Sequence, residues 1–563
     1  MLSSTSQFIL IMNRRHFVKI SGTTTAALVF SRITSFANES ITINTPDKVW
    51  AKSGDHWYQL TYSRGVYVNQ DIRVRFKQGH DALAVLVSSP LLPLNAIRTT
   101  WKYKSKRSSL LLGDKWERSY GDLQWTNNST GNSNPWYLLI NDESSTSCFG
   151  VKTGANTFCS WLLKADELQL SMDTQSGGSG VHLGQRELKA AEIVTLMSDH
   201  GESTFATAQR FCKKMCPDPR LPKMPVYGIN DWYFAYGNNS AELIKKITGL
   251  LTDLAPDTDN RPFSVIDAGW ATYSPYLPGD GGFMDDFSKP NDKFKDMTVM
   301  AGDIKKLGMQ PGLWTRVLCA RHDDSKSLLL PSIPGRDDPK QPILDPTIPE
   351  NIERIKSTIS LYSQWGYKLV KHDYTTYDIM GKWGFQMKDT LTAPGWSFHD
   401  KSKTSAEIIN DLYSAIRQAA GAMYIIGCNT VSHLSAGVFE LNRIGDDTSG
   451  KEWERTRKMG VNTLGFRIAQ HNTFYATDAD CVGLTNDIPW GKNKQWLQLL
   501  AESGTPLFVS PQPDALGDVQ KAAIKLAYTQ AAKAQPIGEP LDWKTNPQPS
   551  KWRLNGRDVA FDW

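Results

Sequence analysis

Between residues 226 and 511, short apolar runs alternate with longer amphipathic segments, and this rhythm constrains the fold more than any other feature of the sequence. Eight runs have the length and composition of buried strands. They are "VYGINDW" at 226, "FSVIDAGW" at 263, "MQPGLWTRV" at 309, "YKLVKHDY" at 367, "MYIIGCN" at 423, "VFELNRIGDD" at 438, "FRIAQHN" at 466 and "PLFVSP" at 506. Eight strands alternating with helices over about 300 residues predict a (β/α)8 TIM barrel, which we assign to residues 219–535.

Residues 38–218 follow a different pattern, in which apolar and polar residues alternate with a period of two. The runs include "HWYQLTY", "DIRVRFK", "ALAVLVS", "WYLLIND", "FCSWLLK" and "EIVTLMS", and Gly, Asn and Ser separate them. This pattern is typical of antiparallel strands, so we expect an N-terminal β-sandwich domain. Residues 536–563 remain as a short C-terminal segment.

The first 37 residues indicate an export signal. Arg14 and Arg15 precede the apolar run "AALVF", and "SFA" ends at Ala37 as a small-residue cleavage pattern. The segment resembles a twin-arginine signal, and an ordinary basic secretory signal is the alternative. We therefore expect a bacterial protein that uses the export machinery and resides in the periplasm or is secreted.

Charge and motif content exclude several function classes. The formal net charge is +5, and the first 37 residues contribute +4 of it, so the rest of the chain is nearly neutral and nucleic-acid binding is not expected. No apolar run reaches the roughly 20 residues that a membrane span needs. Phosphate-loop and dinucleotide motifs do not occur, and the seven cysteines are scattered without metal-ligand spacing. We expect no cofactor and no metal.

Polar side chains recur where the predicted barrel strands end, which is where the active sites of (β/α)8 barrels lie. They include Asn230, Asp231, Trp232, Asp267, Trp270, Trp314, Arg316, Lys371, Asp373, Cys428, Asn429, Arg443, Asp446, Asp447, Asp478 and Asp480. Carboxylates with tryptophans and a lysine suit glycoside hydrolysis, in which one carboxyl group protonates the leaving oxygen and another meets the developing cation. The lysine near Asp373 should keep that carboxylate ionised. A structural ion pair at the barrel rim is the alternative interpretation of these two residues.

The order of the motifs also resembles a known group. "VIDAGW", "KKLGMQPGLWT", "WGYKLVKHDY", "RIGDDTSG" and "ATDADCVGLTNDIPWGKNKQWLQLLAESGTPLFVS" together resemble the clan D α-galactosidases of glycoside hydrolase families 27 and 36. The resemblance covers roughly residues 225–515. It implies a retaining exo-α-glycosidase that acts on an oligosaccharide or glycoside through a covalent glycosyl-aspartate.

The resemblance also implies roles for individual residues. Asp373 corresponds to the nucleophile and Asp446 to the acid/base, with Asp447 as the alternative for the acid/base. The implied substrate-binding residues are Asp267, Lys371, Arg443, Trp232, Trp270 and Asp480, with the two tryptophans as pocket walls.

Ala268 departs from the family pattern, which has a second aspartate at this position. The aspartate's contact to a sugar hydroxyl is therefore absent, and recognition of galactose is not implied strictly. An α-glycosidase for glucose or N-acetylgalactosamine and a non-catalytic carbohydrate-binding barrel are the alternatives.

Overall fold

The computed structural model describes residues 43–127, 131–273, 284–336, 341–388 and 390–563. The predicted export signal at residues 1–37 lies outside the described residues. Among the helices of the described part, none is both long enough and apolar enough to cross a membrane.

The N-terminal region is a large antiparallel sheet of 14 strands that fits the predicted β-sandwich. Its strands are β1 Lys48–Ser53, β2 His56–Ser63, β3 Val66–Asn69, β4 Ile72–Gln78, β5 Leu83–Ser88, β6 Ala96–Lys102, β7 Leu110–Gly113, β8 Thr126–Asn127, β9 Asn134–Pro135, β10 Tyr137–Asn141, β11 Thr146–Val151, β12 Phe158–Lys164, β13 Glu167–Asp173 and β14 Leu188–Met197. β2 pairs with β1 on one side and β3 on the other, and there the sheet passes from one layer to the next. Phe149 of one layer contacts Trp161 of the other, with ring centroids 6.0 Å apart.

The second region contains a curled sheet of nine parallel strands. Its strands and an intervening hairpin, β17–β18, are β15 Tyr227–Asn230, β16 Phe263–Ile266, β17 Ala271–Tyr273, β18 Met284–Pro290, β19 Gln310–Thr315, β20 Leu369–His372, β21 Tyr424–Gly427, β22 Leu441–Arg443, β23 Ala476–Asp478, β24 Cys481–Leu484 and β25 Leu507–Pro511. Their order in the sheet is β23-β22-β21-β20-β19-β16-β15-β25-β24. The parallel barrel-like sheet is as predicted. A closed (β/α)8 barrel is not confirmed, because no ladder joins the end strands β23 and β24 within the described residues.

Helices follow most of the parallel strands. The α-helices of the described chain are α1 Thr204–Met215, α2 Trp232–Ala235, α3 Ala241–Thr252, α4 Met297–Lys306, α5 Pro349–Trp365, α6 Thr375–Met380, α7 Ser405–Ala420, α8 Ser432–Ser435, α9 Trp453–Thr456, α10 Thr463–Arg467, α11 Trp490–Glu502 and α12 Asp518–Ala531. The short C-terminal segment forms a small antiparallel sheet of β26 Glu539–Pro540, β27 Lys551–Leu554 and β28 Arg557–Ala560.

The prediction of a strand at "FRIAQHN" is wrong. Residues 463–467 form α10, and a 3-10 turn follows at Ile468–Gln470. Val461, Leu464 and Ile468 are buried at a spacing of three and four residues, which is the period of a helix packed on a core. The alternation of Phe466 and Ile468 imitates a strand over too few residues to decide. The sheet is extended instead by β23 and β24, farther along the chain.

A buried ion pair joins the sandwich to the barrel-like region. Arg467 Nη2 lies 2.6 Å from Asp114 Oδ1, and both side chains are almost fully buried. Gln470 donates a hydrogen bond of 2.9 Å to the other carboxylate oxygen of Asp114. The ring of Trp136 stacks on His433 with centroids 4.8 Å apart. These contacts fix the loop after β7 against the barrel-like region, and that loop contributes to the site described next.

Candidate active site

Asp373 follows directly on β20 and is held by three N–H donors. Trp314 Nε1 donates to Oδ2 over 3.0 Å, while the backbone amides of Tyr374 and Asn429 donate to Oδ1 over 2.7 and 3.0 Å. Tyr374 has a φ of +68°, a left-handed conformation that non-glycine residues seldom adopt. Such strain is concentrated at functional sites. Asp373 is therefore a carboxylate fixed in one orientation and only partly buried.

Lys371 lies on the same strand, but its ammonium is paired with a different carboxylate. Its Nζ is 2.7 Å from Asp267 Oδ2, and both side chains are buried. Burial opposes the charge of Lys371, but the attraction of Asp267 outweighs it and raises the pKa of Lys371 well above its usual value. The N–H donors, and not the nearby lysine, therefore hold Asp373.

Asp231 is a buried carboxyl group beside Asp267. Asp231 follows β15 and Asp267 follows β16, and these two strands pair in the sheet. Asp231 accepts hydrogen bonds from the Asp267 amide at 2.6 Å and from Asn239 Nδ2 at 2.7 Å. Burial and the charge of Asp267 raise the pKa of Asp231 to about 7. The carboxyl groups of Asp231 and Asp267 thus lie side by side, and the positive charge of Lys371 compensates that of Asp267.

Asp446 and Asp447 follow β22 and differ in their surroundings. Both oxygens of Asp446 are bound by arginines, Arg118 at 2.9 Å and Arg455 at 2.8 Å, and its side chain is 16% exposed. Asp447 is 36% exposed. Its Oδ1 accepts a hydrogen bond of 3.3 Å from Arg443 Nη2. Burial works against the charge of Asp447, but Arg443 and then Arg118 overcome it and lower the pKa of Asp447 to about 2.

Asp480 forms a buried ion pair with Arg443. Its Oδ2 lies 2.8 Å from Arg443 Nη2 and also accepts hydrogen bonds from the Thr448 amide and the Tyr233 hydroxyl. Asp480 is only 3% exposed and has a φ of +75°, so it is a buried support for the loop after β22. Arg443 is likewise buried and reaches Asp447 from the core side.

The two tryptophans predicted as pocket walls differ in position. Trp232 begins α2 and is partly exposed. Trp270 has no exposed surface, and its Nε1 donates to the carbonyl of Trp314 over 2.9 Å. Trp270 therefore lies in the core and supports the residue that binds Asp373. The predicted contact of its ring with a sugar has no surface on which to occur.

One element of the site has no signal in the sequence, the segment 117–120, which comes from the sandwich and reaches the ends of the parallel strands. We call it the sandwich arm. Glu117 accepts hydrogen bonds from Asn429 Nδ2 and from the Gly384 amide, and Arg118 binds Asp446. Ser119 forms a parallel bridge with Gly445. No local motif marks this segment, because its partners are separated from it by more than 260 residues in sequence.

A pocket of about 350 Å³ opens where the sandwich arm meets the strand ends. Its lining residues are Arg118, Tyr120, Asp373, Tyr374, Trp383, Phe385, Asp446 and Asp447. Its volume lies at the lower end of the roughly 300–1,000 Å³ of small-molecule sites. The pocket therefore brings together the three carboxylates for which the sequence predicted catalytic roles.

No protein-family model matches the chain, and no curated protein matches it in sequence. Its fold does match solved structures. TtGalA, an α-galactosidase from Thermus thermophilus in complex with p-nitrophenyl α-D-galactopyranoside, aligns with a TM-score of 0.59 at 14% identity, over 91% of this chain and 98% of that one. The family 36 α-galactosidase AgaA from Geobacillus stearothermophilus, in complex with raffinose, aligns with a TM-score of 0.56 at 13% identity, over 86% of this chain and 71% of that one.

A family 31 sulfoquinovosidase from E. rectale also aligns, with a TM-score of 0.54 at 11% identity, over 91% of this chain and 86% of that one. At these identities the matches establish a shared fold. That fold agrees with the resemblance of the sequence motifs to clan D α-galactosidases.

Proposed function

We propose that the protein is a retaining exo-α-glycosidase with α-galactosidase-like specificity. The observation that carries the proposal is Asp373, a partly exposed carboxylate held by three N–H donors in a pocket that Asp446 and Asp447 also line. Retaining glycosidases need this combination of a fixed nucleophile and a second carboxyl group. The fold shared with family 36 α-galactosidases supports the proposal.

In the proposed reaction, Asp373 attacks the anomeric carbon while the bond to the leaving oxygen breaks. That oxygen takes a proton from the acid/base carboxyl group, and a glycosyl-aspartate forms. Water then attacks the anomeric carbon, gives a proton back to the acid/base, and releases both the sugar and Asp373. Lys371 and Asp267 are proposed to contact hydroxyls of the terminal sugar.

We assign the acid/base role to Asp447, which the family resemblance gives as the alternative to Asp446. Arginines bind both oxygens of Asp446, which leaves it little freedom to exchange a proton with a substrate. Asp447 is more exposed and lies beside Arg443. The low pKa of Asp447 favours the ionised form, which the second step requires, whereas the first step requires that substrate binding raise this pKa so that Asp447 carries a proton.

We also infer that β23 and β24 act as one interrupted seventh strand. Only Ala479 and Asp480 separate them, β23 pairs with β22, and β24 pairs with β25. If β23 and β24 are joined through these two residues into one strand, the sheet would complete a barrel of eight βα units.

The test is hydrolysis of p-nitrophenyl α-galactoside, α-glucoside and α-N-acetylgalactosaminide by the wild type and by Asp373→Asn. We expect activity on one of these sugars and a loss of at least about 10³-fold in the variant. A panel of fluoro-sugars, followed by peptide mass mapping, should label Asp373 in the wild type. Activity that survives the substitution would refute the nucleophile assignment, and inactivity on every α-glycoside would favour a carbohydrate-binding role.

We further propose that the protein is exported through the twin-arginine route. Replacement of both Arg14 and Arg15 by lysine should leave the precursor inside the cell. Export that continues unchanged would instead support an ordinary secretory signal.

A further inference from the structure

The end of β19 contacts both the proposed nucleophile and the residue that follows it. Successive side chains of a strand point to opposite sides, so Trp314 and Arg316 share one side and Thr315 lies on the other. Trp314 Nε1 donates to Asp373 Oδ2 over 3.0 Å. The guanidinium of Arg316 lies 4.1 Å from the centroid of the Tyr374 ring, whose face attracts a cation. One strand end thus supports two consecutive residues of the site.

Asp378 fixes the orientation of the Arg316 guanidinium. Arg316 Nε and Nη2 donate to the two carboxylate oxygens of Asp378 over 3.0 and 2.5 Å. Arg336 Nη2 donates a further hydrogen bond to Asp378 Oδ1 over 3.3 Å. Asp378 has no exposed surface, and the side chain of Arg316 is 5% exposed. Because a bidentate pair holds a planar guanidinium in one geometry, Arg316 has little freedom to leave the ring of Tyr374.

Asp378 and Tyr374 also belong to the same turn of the chain. Asp378 lies on α6, and its amide donates to the Tyr374 carbonyl over 2.8 Å. Tyr374 has the left-handed φ of +68°, and its own amide donates to Asp373 Oδ1 over 2.7 Å. A residue other than glycine keeps such a conformation only where its surroundings impose it. Asp378 contributes to this from two directions, through the ring that Arg316 covers and through the carbonyl.

We propose that Asp378 is a positioning residue, which holds Arg316 against Tyr374 and so keeps the Tyr374 amide directed at Asp373. The described residues that line the pocket do not include Asp378 or Arg316, so both act on the nucleophile through Tyr374. The inference rests on the proposed function and deepens it, since a buried carboxylate outside the pocket sets the orientation of the nucleophile. Asp378 should then affect the rate of attack more than the binding of the sugar.

The test compares kcat and KM of the wild type with those of Asp378→Asn, on the p-nitrophenyl α-glycoside that the wild type hydrolyses and on the fluoride of the same sugar. Asparagine keeps the shape of the side chain but loses the charge and one of the two acceptors that Arg316 binds. We expect kcat to fall about 10²-fold on both substrates, because the nucleophile attacks whatever the leaving group is, and KM to stay within a few-fold. Arg316→Lys keeps the cation without the bidentate contact and should fall between the wild type and Asp378→Asn.

Glu440→Gln is the matched control, because it also breaks a buried ion pair at the parallel sheet. Glu440 Oε2 lies 2.8 Å from Arg417 Nη1, and the two side chains are 4% and 10% exposed. Glu440 directly precedes β22, so it lies at the amino ends of the parallel strands, opposite the site. Glu440→Gln should therefore lose stability but keep its kcat.

Hydrogen exchange followed by mass spectrometry gives a measurement that does not depend on activity. Residues 374–380 should lose protection in Asp378→Asn and keep it in Glu440→Gln. A folded Asp378→Asn variant with the kcat of the wild type would overturn the proposal, and so would an equal loss of kcat in Glu440→Gln. If Asp378→Asn fails to fold, an unchanged kcat in Arg316→Lys would overturn it. Inactivity of the wild type on every α-glycoside would overturn the proposed function instead, and unchanged exchange at residues 374–380 would then show that Asp378 does not hold Tyr374.

Discussion

Asp446 and Asp447 are neighbours in sequence, but their contacts predict different consequences of substitution. A general acid matters least when the leaving group is fluoride, which departs without a proton. We therefore expect Asp447→Ala to lower kcat/KM about 10²- to 10⁴-fold on a disaccharide and far less on the glycosyl fluoride. Asp446→Ala releases Arg118 and Arg455 from their ion pairs and should lower kcat/KM by a similar factor on both substrates. The opposite assignment holds if Asp446→Ala is the variant whose loss depends on the leaving group.

Asp231 should give stability a pH dependence of a particular sign. Its folded pKa is about 7, above the value of roughly 3.9 in an unfolded chain. Between these values the folded chain keeps a proton that the unfolded chain loses. The stability that this group contributes is therefore fully present below about pH 4 and falls as the pH rises towards 7, by at most about 1.4 kcal/mol per unit.

Asp231→Asn should remove this dependence. We expect the free energy of unfolding of the wild type to fall relative to that of the variant as the pH rises from 4 to 7, as measured by denaturant titration. Asp55→Asn, at an exposed aspartate, is the control and should track the wild type. A constant difference between the wild type and Asp231→Asn over this range would contradict the raised pKa.

At the scale of elements, hydrophobic periodicity predicted most of the strands and failed where a short run fitted two periods. The parallel strands at 227, 263, 310, 369, 424, 441 and 507 begin within three residues of the predicted runs. The seventh run failed because α10 contains alternating apolar residues within a helical face. The sheet continues instead through β23 and β24, two segments of three and four residues that Ala479 and Asp480 separate.

The sandwich arm is the element whose role is most open to a direct test. The Ser119 amide donates to the Ile444 carbonyl over 2.9 Å, and the Asp446 amide donates to the Ser119 carbonyl over 2.8 Å. Ser119→Pro removes the first of these hydrogen bonds, while the Ile444 carbonyl keeps the one from Arg467 Nη1 at 2.9 Å, so the loss should cost about 0.5–1.5 kcal/mol. Arg118 should then lose its alignment with Asp446, so we expect kcat/KM to fall about 10²-fold.

Ser119→Ala is the matched control for that variant. It keeps both backbone hydrogen bonds and removes the two contacts of Ser119 Oγ, with Thr463 Oγ1 at 3.1 Å and with the Gly121 amide at 3.3 Å. Its kcat/KM should stay within a few-fold of the wild type. Equal activity of the proline and alanine variants would show that the arm does not position the catalytic groups.

At the scale of the whole molecule, the sequence predicted two regions but not how they depend on each other. Asp373, Asp446, Asp447 and Arg443 come together as the strand-end rule requires, because they lie at the carboxyl ends of β20 and β22, which only β21 separates in the parallel sheet. Trp270 lies in the core. The sequence could not predict this, because an aromatic residue after a strand has the same sequence signature whether it lines a pocket or packs inside. The sandwich arm depends on contacts between distant parts of the chain, which local patterns do not encode.

The buried pair of Asp114 and Arg467 should couple the stability of the sandwich and the barrel-like region. Asp114→Asn leaves the guanidinium of Arg467 without its counter-charge in a site where both side chains are at most 2% exposed. Breaking such a pair costs about 3–5 kcal/mol. Asp411→Asn breaks the exposed pair with Lys403 and should cost no more than about 1 kcal/mol. Hydrogen exchange followed by mass spectrometry should show that Asp114→Asn lowers protection in β10 and β22 together, because both regions lose the same anchor. Loss of protection in β10 alone would mean that the two regions unfold independently.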